Sequence, residues 1–293
     1  MTLIETIERQ SARLTQAGVS FGHGTTNAFD EAAWLVLWRL GLPLDELDAV
    51  AERTLTAEES AAIEALIDQR IATRQPAAYL TREAWLQGVP FYIDERAIVP
   101  RSLIAEVMAD GTLDAWLPEH PKRVLDLCTG NGSLAVLAAL AWPEVTVDAT
   151  DLGADALAVA RINIDKHGLA DRITLRQGDG LAAVAGTRYD VILCNPPYVN
   201  TASMAALPAE YRAEPALALD GNFAGGTDGM DFIRPLIAQA AAHMNSHAVL
   251  VLEIGHEWAH FDAAFPNLES AWLPSSAGED QVLLLTRESL LNP

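Results

Sequence analysis

Hydrophobic positions change their spacing about a quarter of the way along the chain. In residues 1–80 they recur every three or four positions, as they do on one face of a helix. The clearest case follows Thr56 and Glu59, which have the spacing of a capping box. The next apolar residues fall on one helical face: Ile63, Leu66, Ile67 and Ile71. The pattern predicts a helical N-terminal region.

A second helix is predicted over FDEAAWLVLWRLG, which ends at Gly41. Trp34, Leu37 and Trp38 form an apolar stripe on it. We interpret the two tryptophans as core anchors between helices, and a ligand contact is the alternative.

The pattern changes to short strand-like runs between residues 79 and 101, where QGVP and DER separate them. These runs predict a β-hairpin linker. Beyond residue 121, apolar strands alternate with helical segments. The predicted strands are 124–128, 145–151, 173–179, 189–194, 248–255 and 281–287. Such alternation predicts an α/β fold with a parallel sheet covered on both faces, and ligands at the carboxyl ends of the strands.

The resulting expectation is three parts: a helical module over 1–80, a hairpin linker over 81–101 and an α/β domain over 102–293. The chain of 293 residues, 50% of them apolar, is long enough for a substantial core. The early acidic residues do not resemble a signal peptide, and the apolar runs are shorter than a membrane span. We therefore expect a cytoplasmic protein without a membrane partner.

The net charge of −21, with Lys122 and Lys166 as the only lysines, argues against direct binding to nucleic acid, which needs clustered basic side chains. An acidic surface suits a basic protein partner, although solubility alone also accounts for it. Cys128 and Cys194 each end a strand-like run. We expect both to be reduced and buried; a disulfide or a metal role is the alternative.

The segment DLCTGNGSLAV has the features of a nucleotide-binding loop. Gly130 and Gly132 stand between a predicted strand and a predicted helix, where they allow a tight turn and a close approach to a ligand. Asp151 ends the next strand about twenty residues later, where a carboxylate can bind ribose hydroxyls. Dinucleotides and S-adenosylmethionine share these features.

Two further acids favour S-adenosylmethionine. Asp126 precedes the glycines, where it can face a cationic amino group and would repel a pyrophosphate. Asp179 follows the third strand and can accept from the exocyclic amine of adenine. Capping of a nearby helix is the alternative role for each acid.

The most informative stretch is NPPY, residues 195–198, at the end of the fourth strand. Pro196 and Pro197 lack N–H groups and stiffen the chain. The side-chain oxygen of Asn195 and the carbonyl of Pro196 can therefore act as rigid acceptors for the two hydrogens of a planar NH₂ group. Tyr198 would form a wall against that group. The alternative is a loop whose prolines merely end a strand.

These motifs resemble amino-methyltransferases of the seven-stranded S-adenosylmethionine-dependent fold. Several stretches are similar to protein-(glutamine-N5) methyltransferases: FYIDERAIVPRS, EPALALDG, GGTDGMDFIRPLI and LEIGHE. The resemblance covers essentially the whole chain. It implies that residues 195–198 bind a glutamine amide, with Asn195, Pro196 and Tyr198 catalytic and Phe91 as a further substrate contact. It also implies the cofactor-binding set Asp126, Thr129, Gly130, Gly132, Asp151, Asp179 and Asn195, and no metal.

That family has two bacterial branches. YLTREAWLQGVPFYIDERAIVPRSLIAE resembles the branch that modifies the third protein of the large ribosomal subunit, a basic partner. The other branch modifies the Gly-Gly-Gln loop of peptide chain release factors. A nucleic-acid amine methyltransferase would share NPPY but needs a basic surface. A non-catalytic module of the same fold is a further alternative.

HEWAH, residues 256–260, matches the zincin pattern of two histidines around a glutamate. That pattern binds zinc only within an established helix. Here it directly follows a predicted strand and Gly255, so we expect His256 in a loop or a helix cap. Zinc proteolysis is accordingly the least favoured alternative.

Overall fold

The computed structural model describes residues 1–117 and 121–292. The N-terminal region is helical, as predicted. Its helices are α1 (Leu3–Gln16), α2 (Ala28–Arg39), α3 (Leu47–Val50), α4 (Ala57–Thr73) and α5 (Ala77–Thr81). The predicted capping box begins α4: Thr56 accepts from the backbone of Glu59, whose side chain accepts from Thr56 N–H. Trp34 and Trp38 pack, partly buried, against the core of this region, which confirms their anchoring role.

The predicted hairpin follows as the antiparallel strands β1 (Glu83–Leu86) and β2 (Val89–Tyr92). Gln87 and Gly88 form its two-residue turn, and both have positive φ, 50° and 74°. Such turns match the twist of the flanking strands. The turn residues QG therefore account for the change of direction.

A seven-stranded sheet forms the rest of the architecture. Its strands are β3 (Arg123–Leu127), β4 (Thr146–Asp151), β5 (Ile173–Gln177), β6 (Tyr189–Cys194), β7 (Met244–Glu253), β8 (Ala271–Ser275) and β9 (Gly278–Thr286). The spatial order is β5-β4-β3-β6-β7-β9-β8. The first five are parallel, and β9 is antiparallel to both neighbours. All six predicted strands are present, and β8 was not predicted.

Helices cover both faces of this sheet, and one apolar cluster lies on each. They are α6 (Ile104–Ala109), α7 (Ser133–Ala141), α8 (Ala154–Lys166), α11 (Ile233–Ala240), α12 (Trp258–Ala264) and α13 (Arg287–Leu291). Two short helices, α9 (Thr201–Ala206) and α10 (Ala209–Arg212), lie in the segment that follows β6. In the described part of the chain, no helix has the length and apolarity needed to cross a bilayer. The strand order reverses beside β3, which places a crevice at the carboxyl ends of β3 and β6.

Buried ion pairs attach the helical region to the segment that follows β6. Glu210 is fully buried and pairs with Arg70 at 3.2 Å and Arg74 at 2.6 Å, both from α4 or its C-cap. Four residues later, Glu214 accepts two hydrogen bonds from Arg101, of 2.6 and 2.7 Å. Removing either partner of such a buried pair leaves an uncompensated charge, so these contacts fix how the helical region and the end of the linker meet that segment.

Candidate active site

A cavity of about 410 Å³ opens at the carboxyl ends of β3, β4 and β6. Five residues singled out from the sequence lie on its wall: Gly130, Asp151, Asp179, Asn195 and Pro197. Residues 96–98 after the hairpin form another wall, and segment 215–223 contributes Pro215, Leu217, Ala218 and Phe223. Its volume lies in the range of small-molecule sites, roughly 300–1,000 Å³.

The two glycines of the nucleotide loop have different roles. Gly130 has φ +56° and lines the cavity. Gly132 has φ +81°, begins α7 and faces α8. A Cβ on Gly132 would lie 3.0 Å from the Cβ and 3.2 Å from the Cα of Ala160. Gly132 therefore allows helix packing behind the cavity, and Gly130 alone of the pair faces the ligand space.

Asp151 closes the loop from β4. Its Oδ2 accepts from Gly130 N at 2.9 Å, and its Oδ1 accepts from Gly153 N at 2.8 Å. Burial raises its pKa, against the lowering effect of these backbone donors. The carboxylate is thereby fixed on the cavity wall at the start of α8.

Asp126 and Thr129 lie behind this wall. Asp126 is 1% exposed, accepts from Ala135 N at 2.9 Å and from the Thr129 hydroxyl, and is not among the residues that line the cavity. Burial raises its pKa to about 7. The structure thus gives Asp126 a helix-capping role at α7, and its contact with the cofactor amino group stays a prediction.

Asp179, unlike Asp126, faces the cavity and does not cap a helix. It lines the cavity from the end of β5, and its side chain makes no capping hydrogen bond to the 3₁₀ turn that it precedes. The exposed carboxylate is therefore available to a ligand.

Residues 195–198 leave β6 at the base of the cavity. Asn195 and Pro197 are on the wall, and Pro196 is buried. Within residues 1–117 and 121–292, no hydrogen bond is made to the Asn195 side chain. A strand that ends at an unpartnered amide followed by two residues without N–H donors presents acceptors to whatever enters.

Tyr198 lies beside the cavity rather than on its wall. Its ring packs against the C-terminal end of β7, and its hydroxyl is 3.4 Å from Oε1 of Glu253. Burial raises the pKa of Tyr198, so the hydroxyl keeps its proton.

HEWAH, residues 256–260, is hydrogen-bonded to the segment that follows NPPY. Glu257 is buried and its Oε1 accepts from Asn200 Nδ2 at 2.7 Å, while its Oε2 lies 2.6 Å from Nδ1 of His260. His256 is exposed and precedes α12, as expected. The two histidines therefore do not share one helical face, which contradicts a zincin site.

Phe91 is not among the residues that line the cavity. It has no exposed surface and packs in the core on the α7 face of the sheet, with its ring 5.5 Å from that of His167. The sequence alone also missed two amides that join the linker to the glycine loop. Asn131 donates to Ile98 O at 2.8 Å, and Asn163 pairs with both backbone groups of Tyr92. Only the fold brings these distant residues together.

Cys128 and Cys194 are free thiols. Cys194 is buried, as expected, whereas Cys128 is only partly buried and lines the cavity with φ +62°.

Comparisons with known proteins place these features in a wider context. Residues 5–81 match the PrmC N-terminal domain, and residues 110–221 match the methyltransferase small domain. A ribosomal protein uL3 glutamine methyltransferase of Bordetella pertussis is 53% identical over 99% of this chain and 96% of its own. One of Burkholderia pseudomallei is 51% identical over 99% of this chain and 95% of its own. The crystal structure of a methyltransferase from Pyrococcus furiosus shares the fold, with a TM-score of 0.50 and 18% identity over 76% of this chain and 97% of that one.

Proposed function

The chain belongs to the family of ribosomal protein uL3 glutamine methyltransferases, and on that premise we propose how its residues carry out the reaction. The enzyme transfers a methyl group from S-adenosylmethionine to the side-chain amide nitrogen, N5, of a glutamine in uL3. The fold is the seven-stranded methyltransferase architecture expected from the sequence.

The cavity fits the methyl donor. It offers a glycine without a Cβ at Gly130, a fixed carboxylate at Asp151 and a free carboxylate at Asp179. We propose that Asp151 binds the ribose hydroxyls and Asp179 the adenine amine, while Asp126, Thr129 and Gly132 hold the loop in shape from behind. When bound, S-adenosylmethionine supplies an electrophilic methyl on a good leaving group.

The observation that carries the mechanism is the unpartnered Asn195 amide beside the Pro196 carbonyl at the end of β6. A glutamine amide is a poor nucleophile because its lone pair is conjugated with its carbonyl. We propose that Asn195 Oδ1 and Pro196 O accept its two N–H groups, orient the lone pair and stabilise the positive charge that grows on nitrogen. Pro197 stiffens the acceptors. We propose that Tyr198, which lies beside the cavity, bounds the amide site that adjoins it.

We propose that the helical region, residues 1–80, docks the ribosomal protein while residues 81–101 link it to the catalytic domain, 102–293. The ion pairs of Glu210 with Arg70 and Arg74 attach that region to the segment that follows NPPY, and Glu214 holds the linker there through Arg101, which supports this assignment. The net charge of −21 complements a basic ribosomal protein. Because ribosomal proteins are made in the cytoplasm, we propose that the enzyme acts there.

The test is peptide mass spectrometry of uL3 and of a class I release factor, each incubated with the enzyme and S-adenosylmethionine. The Asn195→Ala variant is the matched control for methyl transfer by this site. We expect one added methyl on a glutamine of uL3 alone, and none with the variant. Methyl only on the release factor's Gly-Gly-Gln would overturn the substrate and keep the chemistry. Methyl on neither protein would overturn both and direct the search to nucleic-acid amines.

A further inference from the structure

A buried carboxylate lies next to the NPPY segment and takes no direct part in the proposed methyl transfer. Glu253 is the last residue of β7 and is 4% exposed. The parallel pairing of β6 with β7 matches Cys194 to Leu252, so the next residue pair is Asn195 and Glu253. The carboxylate therefore lies at the level where the substrate amide is gripped.

The two oxygens of Glu253 hold different segments. Oε2 accepts from Ser102 Oγ at 2.6 Å and from Leu103 N at 2.9 Å, the two residues directly after the linker. Oε1 accepts from the Tyr198 hydroxyl at 3.4 Å. One side chain thus connects the start of the catalytic domain, directly after the linker, to the tyrosine of NPPY.

Gly255, two residues further on, completes the slot for the ring. It has φ +53°, and a Cβ there would lie 2.6 Å from Cε2 of Tyr198. The ring can occupy its position only because this residue has no side chain. The end of β7 therefore positions Tyr198 in two ways. Glu253 accepts a hydrogen bond from its hydroxyl, and the missing side chain of Gly255 leaves room for its ring.

We infer that Glu253 is a positioning residue for methyl transfer, which acts by holding Tyr198 against the amide pocket formed with Asn195. This inference rests on the proposed function, because it assigns Tyr198 as the wall of that pocket. Oε2 alone accepts the hydrogen bonds from Ser102 and Leu103. If Glu253 only held these two residues in place, its Oε1 would not be needed.

The first test is a double-mutant cycle of Glu253→Gln and Tyr198→Phe. A glutamine keeps the shape and can still accept from Ser102, but it cannot present an acceptor on both sides. We expect Glu253→Gln to lower kcat about 10- to 100-fold, as a misplaced pocket wall does. Binding of S-adenosylmethionine, measured by calorimetry, should change by less than about 3-fold, since its proposed ligands are untouched.

The non-additivity of the cycle separates positioning from general stability. In the Tyr198→Phe background the contact is already absent, so Glu253→Gln should lower kcat by less than about 2-fold more. If Glu253→Gln lowers kcat by the same factor in both backgrounds, it does not act through Tyr198 and the inference is overturned.

A second measurement does not depend on the substrate. The protein has only 5 tyrosines, so a ring-labelled ¹³C-tyrosine NMR spectrum can be assigned by single substitutions. Glu253→Gln should shift the Tyr198 signal and leave that of Tyr189 in place. Asp148→Asn is the matched control, because Asp148 accepts from the Tyr189 hydroxyl at 2.8 Å. It should shift the Tyr189 signal and leave that of Tyr198 in place. An unmoved Tyr198 signal overturns the inference even if uL3 is methylated. A moved signal in an enzyme that leaves uL3 unmethylated overturns the proposed function and supports the contact.

Discussion

Strand β6 has a tyrosine near each end, and each tyrosine hydroxyl meets a buried carboxylate. Tyr189, the first residue of the strand, donates to Asp148 at 2.8 Å. Tyr198, four residues beyond its last, donates to Glu253 at 3.4 Å. The two contacts are chemically alike, but they lie at opposite ends of the sheet.

Their electrostatic surroundings differ. Asp148 also pairs with Arg176 at 2.8 Å and Arg123 at 3.1 Å. Although burial works in the opposite direction, these partners hold the pKa of Asp148 below its usual range. In the described residues no cation is in ion-pair contact with Glu253, and burial raises its pKa. The carboxylate at the amino end of the sheet is neutralised by ion pairs, whereas the one at the carboxyl end accepts only from neutral donors.

The largest difference in kcat between the two ends of the sheet is expected when one asparagine at each end is replaced. Asn195→Ala removes an acceptor at the site of developing charge and should lower kcat about 10²- to 10³-fold, with S-adenosylmethionine binding largely retained. Asn245→Ala is the control, because Asn245 donates to Asp190 at 2.7 Å at the amino end. It should cost about 1 kcal/mol of unfolding free energy and leave kcat unchanged. Single-turnover methylation and urea unfolding measure the two effects. Equal kcat values for the two variants would contradict the mechanism.

The next largest difference in kcat is expected between alanine substitutions at two glycines, Gly255 and Gly186. Gly255→Ala places a Cβ against the Tyr198 ring and should lower kcat about 10- to 100-fold. Gly186→Ala imposes the same kind of backbone strain, at φ +76°, three residues before β6 and with nothing within 4 Å of the added Cβ. Both variants should lose about 1 kcal/mol of stability from the left-handed backbone. If Gly186→Ala lowers kcat as much as Gly255→Ala does, contact with Tyr198 is not the cause.

The sequence predicted the alternating part of the fold well because buried parallel strands leave continuous apolar runs, such as YDVILC and AVLVLEIG. It missed β8, Ala271–Ser275, whose run AWLPS contains a proline and only one buried residue. Proline at an edge strand is permitted, but it removes the pattern that predicts a strand.

The candidate site was predictable only where chemistry and strand ends coincide. Asn195, Asp151 and Asp179 each lie at or just beyond the end of a predicted strand, and all three line the cavity. Glu253 also ends a strand, but its contact with Tyr198 depends on the register of β6 with β7, which one sequence does not specify. For the same reason the sequence left open whether Asp126 caps a helix, since only the fold brings its carboxylate to Ala135 N.

The smallest expected effect is on the pH dependence of the free energy of unfolding. Asp148 and Glu253 should contribute to it with opposite signs. Asp148 has a folded pKa below its ordinary value of 3.8, so its charged form stabilises the protein above that pH, and the benefit is lost as pH falls through the folded pKa. Asp148→Asn should therefore destabilise by about 1–2 kcal/mol at pH 7, discounted for its half-exposed arginine partners, and by less near pH 3.5. Glu253 has a raised pKa, so its ionisation costs stability as pH rises above 4.5. The stability of the natural protein relative to Glu253→Gln should accordingly fall as pH rises, while its stability relative to Asp148→Asn increases. Urea unfolding between pH 3.5 and 7.5 measures both differences. If both change in the same direction, the two ends of β6 are electrostatically alike, and the contrast between an ion-paired end and an acceptor-bearing end is wrong.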